Sequence, residues 1–179
     1  MALITNWSQP LTWQLKESTF VKIGLHFRKD WSTPFQIGAK LTTASLADVF
    51  AMGGEPKYLL VAAGISDIDN SEVIIEVAKG IRSVSDEFKV TVVGGDLSKS
   101  EKMVLSITAL GELSSKPIKR SGAKVGDLVY LSSLPGLSAA GMAILERELD
   151  RPRYVVEAHL NPKLKKPKNL MQVATAMSD

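Results

Sequence analysis

An α+β fold with helices on one face of a sheet is predicted by three observations. Apolar segments of strand length alternate with two long helical patterns, in the order strand, helix, strand, helix, strand, strand. Both helical patterns carry their own start signals. The final strand, "KMVLSITALGE" at 102–112, alternates strictly over Val104, Ser106 and Thr108, as a sheet with one covered face requires.

Taken in order, "LTWQLKESTFVKIGLHF" at 11–27 contains alternating stretches that read as one or two strands. "DWSTP" then stops the strand and starts a helix. Ser32 or Thr33 caps it, and Pro34 sits in the first turn, where its missing N–H costs nothing. That helix is expected to turn Ile37, Leu41, Ala44 and Val49 inward and to end at Gly53-Gly54. "KYLLVAAGI" at 57–65 is a continuous apolar run and predicts a strand buried on both faces. A second helix over 71–88, capped near Asn70 or Ser71, carries the stripe Ile74, Val77, Ala78, Ile81, Val84 and Phe88. "KVTVVGG" at 89–95 predicts the next strand.

Glycine, proline and basic residues interrupt the pattern over 113–127, so residues 1–115 are expected to form one domain and 116–179 to begin a second. "LVYLSS" starts a strand there, and "LSAAGMAILEREL" and 168–177 are helical. One strand and two or three helices make a poor independent core, so the second domain is expected to be incomplete.

Composition narrows the function classes. The 179 residues are 45% hydrophobic and 23% charged, the profile of a globular chain. The first residues lack the charge and apolar pattern of a secretory signal and no run is long enough to span a bilayer, which predicts a cytoplasmic protein without membrane partners. Disulfides, zinc–thiolate sites and cysteine nucleophiles are excluded because cysteine is absent. The net charge of +3 is concentrated in "NPKLKKPKNL" at 161–170, with no interleaved aromatics, and so reads as a solvated loop rather than a nucleic-acid surface.

Chemistry is concentrated at "VTVVGGDLSKS", residues 90–100. Glycines leave backbone N–H groups open to a phosphate, and an aspartate supplies an oxygen ligand for a divalent cation. The same Gly94-Gly95-Asp96 sequence also suits a plain hairpin turn. Asp48 lies in an alanine-rich helix, where a carboxylate is either exposed or paired. Two oxygen donors from distant segments match a partly hydrated magnesium site. His26 and Trp31 are open to both structural and binding roles. Arg120 reads as a surface charge or as a bidentate phosphate contact.

The segments "GLHFRKDWSTPFQIGAKLTTASLADVFAMGGEP", "VVGGDLSKSEKMVLSITALGEL", "RSGAKVGDLVYLSSLPGLSAAGMAIL" and "VEAHLNP" resemble, in order and spacing, thiamine-monophosphate kinase. That family shares a superfamily with aminoimidazole ribonucleotide synthetase and selenophosphate synthetase. The resemblance covers most of 18–179 and implies an N-terminal domain that dimerises through its sheet, a second α+β domain, and ATP in the cleft between them. It implies magnesium ligation by Asp48, Asp96 and, through "ATAMSD", Asp179. It further implies a nucleotide contact at Gly95, a phosphate contact at Arg120 and a thiamine-phosphate contact at His26.

The departures bear on activity. The family's GDDAA motif has no counterpart near the start, the aspartate of its TD pair falls on Thr19, the glutamate of EGxHF falls on Ile23, and the asparagine before LAD falls on Ser45. The SDGL segment has no counterpart up to Asp179. Phosphoryl transfer rests on positioning and on neutralising charge with metal ions. Two expectations follow from the resemblance: an impaired ATP-dependent kinase that makes thiamine diphosphate, or an inactive relative that keeps the fold and dimer surface. A selenophosphate-synthetase-like role is disfavoured by the absence of cysteine.

Overall fold

The computed structural model describes residues 13–22, 27–67, 69–129, 131 and 134–164. Its elements run β1 (Trp13–Lys22), α1 (Pro34–Ala51), β2 (Glu55–Ile65), α2 (Ser71–Phe88), β3 (Thr91–Lys99), β4 (Val104–Leu113), a short 3-10 turn (Arg120–Gly122), α3 (Leu137–Glu146) and α4 (Arg153–Leu160). The first six elements have the predicted order. They form a mixed four-stranded sheet in the order β1-β4-β2-β3, with β2 and β3 parallel and the other pairs antiparallel.

Both helix starts follow local chemistry. Thr33 accepts from the Gln36 amide while the Gln36 side chain accepts from the Thr33 amide, a reciprocal pair that satisfies two donors left free at the helix end. Asn70 accepts from the Val73 amide at 3.0 Å and starts α2. At the other end of α1, Gly53 takes a positive φ of 82° after the last turn, as the predicted glycine stop requires. Lys89 takes the left-handed cap that ends α2, so β3 starts two residues later than predicted and extends through Lys99.

One face of the sheet is buried under α1 and α2. From β4, Leu105, Ile107 and Ala109 enter the core, joined by Leu59, by Ile37, Leu41, Leu46 and Val49 of α1, and by Val77, Ile81 and Val84 of α2. Ala44, predicted to point inward, is exposed, because Leu41, Ser45 and Leu46 occupy the covered arc of the helix. The two helices cross at glycines. A Cβ on Gly38 would lie 2.1 Å from the Val77 carbonyl oxygen, and one on Gly80 would lie 2.0 Å from that of Phe35.

Two expectations are corrected. Strand β2 is not buried on both faces: Leu59 is covered, whereas Tyr58 and Leu60 are 48% and 41% exposed, because both helices pack on the same side. The described residues of 128–133 form no strand. Leu128, Val129 and Leu131 are exposed, and among the described residues no strand pairs with this segment. Helix α3 is shorter than its predicted pattern and pairs with α4; a Cβ on Gly141 would approach the Val155 carbonyl oxygen at 2.3 Å. The predicted helix at 168–177 lies outside the described residues.

Because the Gly80 contact is with backbone, it cannot be relieved by a rotamer change. Gly80→Ala should destabilise the fold by about 2–3 kcal/mol in urea denaturation. Gly122→Ala, where an added Cβ meets nothing within 4 Å, should leave the midpoint nearly unchanged.

Candidate functional site

The glycine pair and its aspartate do not form a turn. Gly94, Gly95 and Asp96 lie inside β3, an edge strand paired in parallel with β2. Register passes from Leu59↔Val92 to Leu60↔Gly94, so Val93 is an extra residue in a β-bulge. The bulge draws the two backbones together. A Cβ at Gly95 would lie 1.9 Å from the Val61 carbonyl oxygen, which gives this glycine a packing reason of its own. The hairpin reading fails because β3 leads on into a crossover past β2 to β4 rather than folding back on its neighbour.

Asp48 is exposed near the end of α1, and the Thr19 hydroxyl of β1 donates to its Oδ2 at 3.5 Å. Position 19 is where the resemblance expects a carboxylate, so the alignment of β1 places that position against Asp48. On β3, Asp96 is exposed and accepts from the Ser98 hydroxyl at 3.3 Å.

These two carboxylates do not converge within one chain. Thr19, Ile107, Val61 and Gly95 lie in one row across the four strands. Ile107 is fully buried, so this row faces the helices. Asp96 belongs to the next row, with Ala62 and Ser106, and faces away. Three inter-strand steps of about 4.8 Å also separate β1 from β3. Asp48 and Asp96 therefore occupy opposite edges and opposite faces of the sheet.

Arg120 is exposed in the 3-10 turn, on a segment tied to the end of α1 by the Ile118 amide donating to the Met52 carbonyl at 3.0 Å. His26 and Asp179 lie outside the described residues. Among the described residues, no three histidine, aspartate or glutamate side chains are grouped to hold a metal. The oxygen donors at Asp48 and Thr19 have the right chemistry for a hard cation, but they are too few to form a protein cage.

A cavity of about 280 Å³ runs beneath β3, lined by Val61, Ile74, Val77, Leu97 and Met103. Its wall is predominantly apolar, and the charged residue in its lining, Asp96, is anionic and offers no cation to a triphosphate. Strand β3 thus stands partly away from α2.

The loops at this end of the sheet are held by an interaction absent from the sequence-based reading. The Asp69 carboxylate is fully buried and ion-paired with Lys29. Its Oδ2 also accepts from the Ser66 hydroxyl at 2.9 Å and the Ser66 amide at 3.2 Å. Burial alone would raise the carboxyl pKa. Lys29 and both Ser66 donors outweigh it and hold the group below the usual range. The aspartates of "SDIDNS" were a visible turn signal, but only the fold brings Lys29 to one of them.

This topology defines a class of protein. The family described as AIR synthase related protein, N-terminal domain, matches residues 14–113, and the chain belongs to that family. Its relatives are more particular. A thiamine-monophosphate kinase of Leptospira interrogans is 36% identical over 145 residues, covering 78% of this chain and 47% of the relative. The Corynebacterium glutamicum thiamine-monophosphate kinase is 32% identical over 166 residues, covering 87% and 50%. The crystal structure of the Aquifex aeolicus thiamine monophosphate kinase superimposes with a TM-score of 0.79 at 28% identity, covering 86% of this chain and 53% of that one. A further structure, AaThiL complexed with AMPPCP and TMP, gives the same TM-score of 0.79 at 29% identity, over 85% of this chain and 50% of that one. The chain spans about half the length of the relatives it matches.

Since the depressed Asp69 carboxyl stabilises the fold only while ionised, its contribution is present above the ordinary carboxylate range and is lost as pH falls through the lowered value. Asp69→Asn should cost about 1–3 kcal/mol near neutral pH. The difference from wild type, followed by urea denaturation, should shrink in acid.

Proposed function

We propose that this chain carries the site of an ATP-dependent kinase that phosphorylates thiamine monophosphate to thiamine diphosphate, with turnover well below that of a member holding all the family's carboxylates. The observation that carries this reading is the Thr19–Asp48 contact. It supports an alignment in which a site aspartate is retained and its acidic neighbour is replaced. The relatives supply the chemistry: they are thiamine-monophosphate kinases, and a similar structure holds AMPPCP and TMP.

In this reading Asp48, Asp96 and Asp179 are the magnesium carboxylates, Gly95 and Arg120 contact the nucleotide, and His26 contacts the substrate. Magnesium would supply charge neutralisation on the phosphates. Because Asp48 and Asp96 are far apart in one chain, an ion held by both requires a second copy. That requirement supports a homodimer built on the sheet, whose open face exposes Tyr58 and Leu60. Light scattering should give the mass of a dimer at micromolar concentration, and a clean monomer would remove the composite site.

Thr19 specifically favours reduced turnover, since a hydroxyl cannot replace the charge of a carboxylate. Loss of one electrostatic stabiliser commonly costs about 100- to 1,000-fold in rate. Conversion of thiamine monophosphate with ATP and magnesium should therefore run at least about 100-fold below that of a complete member. Thr19→Asp should raise it. In calorimetry with magnesium and ATP, Asp96→Asn should weaken binding without changing the unfolding midpoint. Unchanged affinity would dismiss Asp96 as a ligand. Nucleotide binding without turnover by either wild type or Thr19→Asp would support the second reading, an inactive relative that keeps the fold.

A further inference from the structure

The junction between the α3–α4 hairpin and the first layer is built around one histidine. His159, on α4, has Nδ1 3.1 Å from the Ser138 carbonyl and 3.2 Å from the Ser138 hydroxyl, both on α3. Its Nε2 lies 3.5 Å from Nζ of Lys40, on α1. The ring meets the edge of Trp31 at 6.3 Å, and the Arg28 guanidinium sits 4.3 Å from the centre of the Trp31 ring.

This arrangement has one coherent proton inventory. Nδ1 carries the hydrogen, because a backbone carbonyl can only accept. Nε2 then presents its lone pair to the lysine ammonium. A second proton on the imidazole would remove that lone pair and set two cations 3.5 Å apart across the junction.

We propose that His159 and Lys40 form a pH-sensitive latch: the α3–α4 hairpin is held against α1 while His159 is neutral and loosens when the imidazole is protonated. The charges facing the ring come from every neighbouring element. Lys40 on α1 opposes protonation. Glu146, at the end of α3, favours it and also acts on Arg28, which Asp30 already engages. Arg28 stacks on Trp31, the ring that meets His159, and is paired with Asp30. Burial, followed by Lys40, outweighs the Ser138 carbonyl and Glu146 and lowers the His159 pKa; burial likewise lowers that of Lys40. The sign is consistent. A docked state that binds the imidazole proton less readily is favoured above the ordinary histidine range and loses that advantage as pH falls through it.

The latch touches the helix that carries Asp48, two turns from Lys40, and needs neither ATP nor metal to be observed. The chain has only two histidines, so a His26→Gln background isolates the His159 ring signal in a proton NMR titration. The midpoint should lie below the ordinary histidine value and rise in Lys40→Met. Hydrogen-exchange mass spectrometry on the full chain, corrected for intrinsic rates, provides the conformational readout. Between about pH 7.5 and pH 5, protection of residues 153–160 should fall several-fold while that of 71–88 holds. Lys40→Met should reduce this fall, and His159→Gln should abolish it. A protection ratio independent of pH, or the same fall in Lys40→Met as in wild type, overturns the proposal even if His159→Gln does not fold. A midpoint at or above the ordinary value does so as well.

Discussion

The close crossing of α1 and α2 at Gly38 and Gly80 is the constraint on which the first layer depends. Each glycine admits the backbone of the opposing helix, with carbonyl oxygens where a Cβ would stand. Two helices that approach this closely can share the width of a four-stranded sheet. Their inner stripes then meet over Leu59, Ile107 and Ala109. Helix α1 thereby takes a fixed azimuth, which directs Asp48 toward β1 and Lys40 toward α4.

The same one-sided packing leaves the opposite face of the sheet open. Apolar residues on that face are an invitation to association, since scattered exposed side chains are ordinary but a contiguous sheet face is not. Asp96 shares the open side, whereas Asp48 belongs to the covered side. Under the proposed function, a site drawing on both faces needs a second copy of this layer, which would link assembly to chemistry through the geometry of the sheet.

Local chemistry was well expressed along the chain. The Thr33-Pro34 start, the Asn70 cap and the stripe of α2 each involve residues within a few positions of one another, and each appears at the predicted place except for Ala78, which is exposed while Gly80 and Ser85 take covered positions on the helix. The face assignments of β2 were not legible, because a uniformly apolar run carries no period to show which side is covered. Nor was the strand character of Gly94 and Gly95, where a parallel neighbour and a bulge override the usual turn preference of glycine. The candidate site could be proposed from residue types, but its distances could not be read from the sequence. Thr19 meets Asp48 across 29 positions and Lys40 meets His159 across 119, separations that only the topology closes.

Strand order also has a consequence for folding. The β2–α2–β3 unit closes over short loops, and β4 adds to β2 soon after it in sequence. Strand β1, by contrast, pairs residues at the start of the domain with those at its end, Trp13 with Leu113 and Lys22 with Val104. Closing that loop carries the largest entropic cost in the sheet and is repaid only after β4 is in place. Loop-closure entropy thus favours β1 as the last strand to join, so the partner that Asp48 finds at Thr19 is expected late in folding.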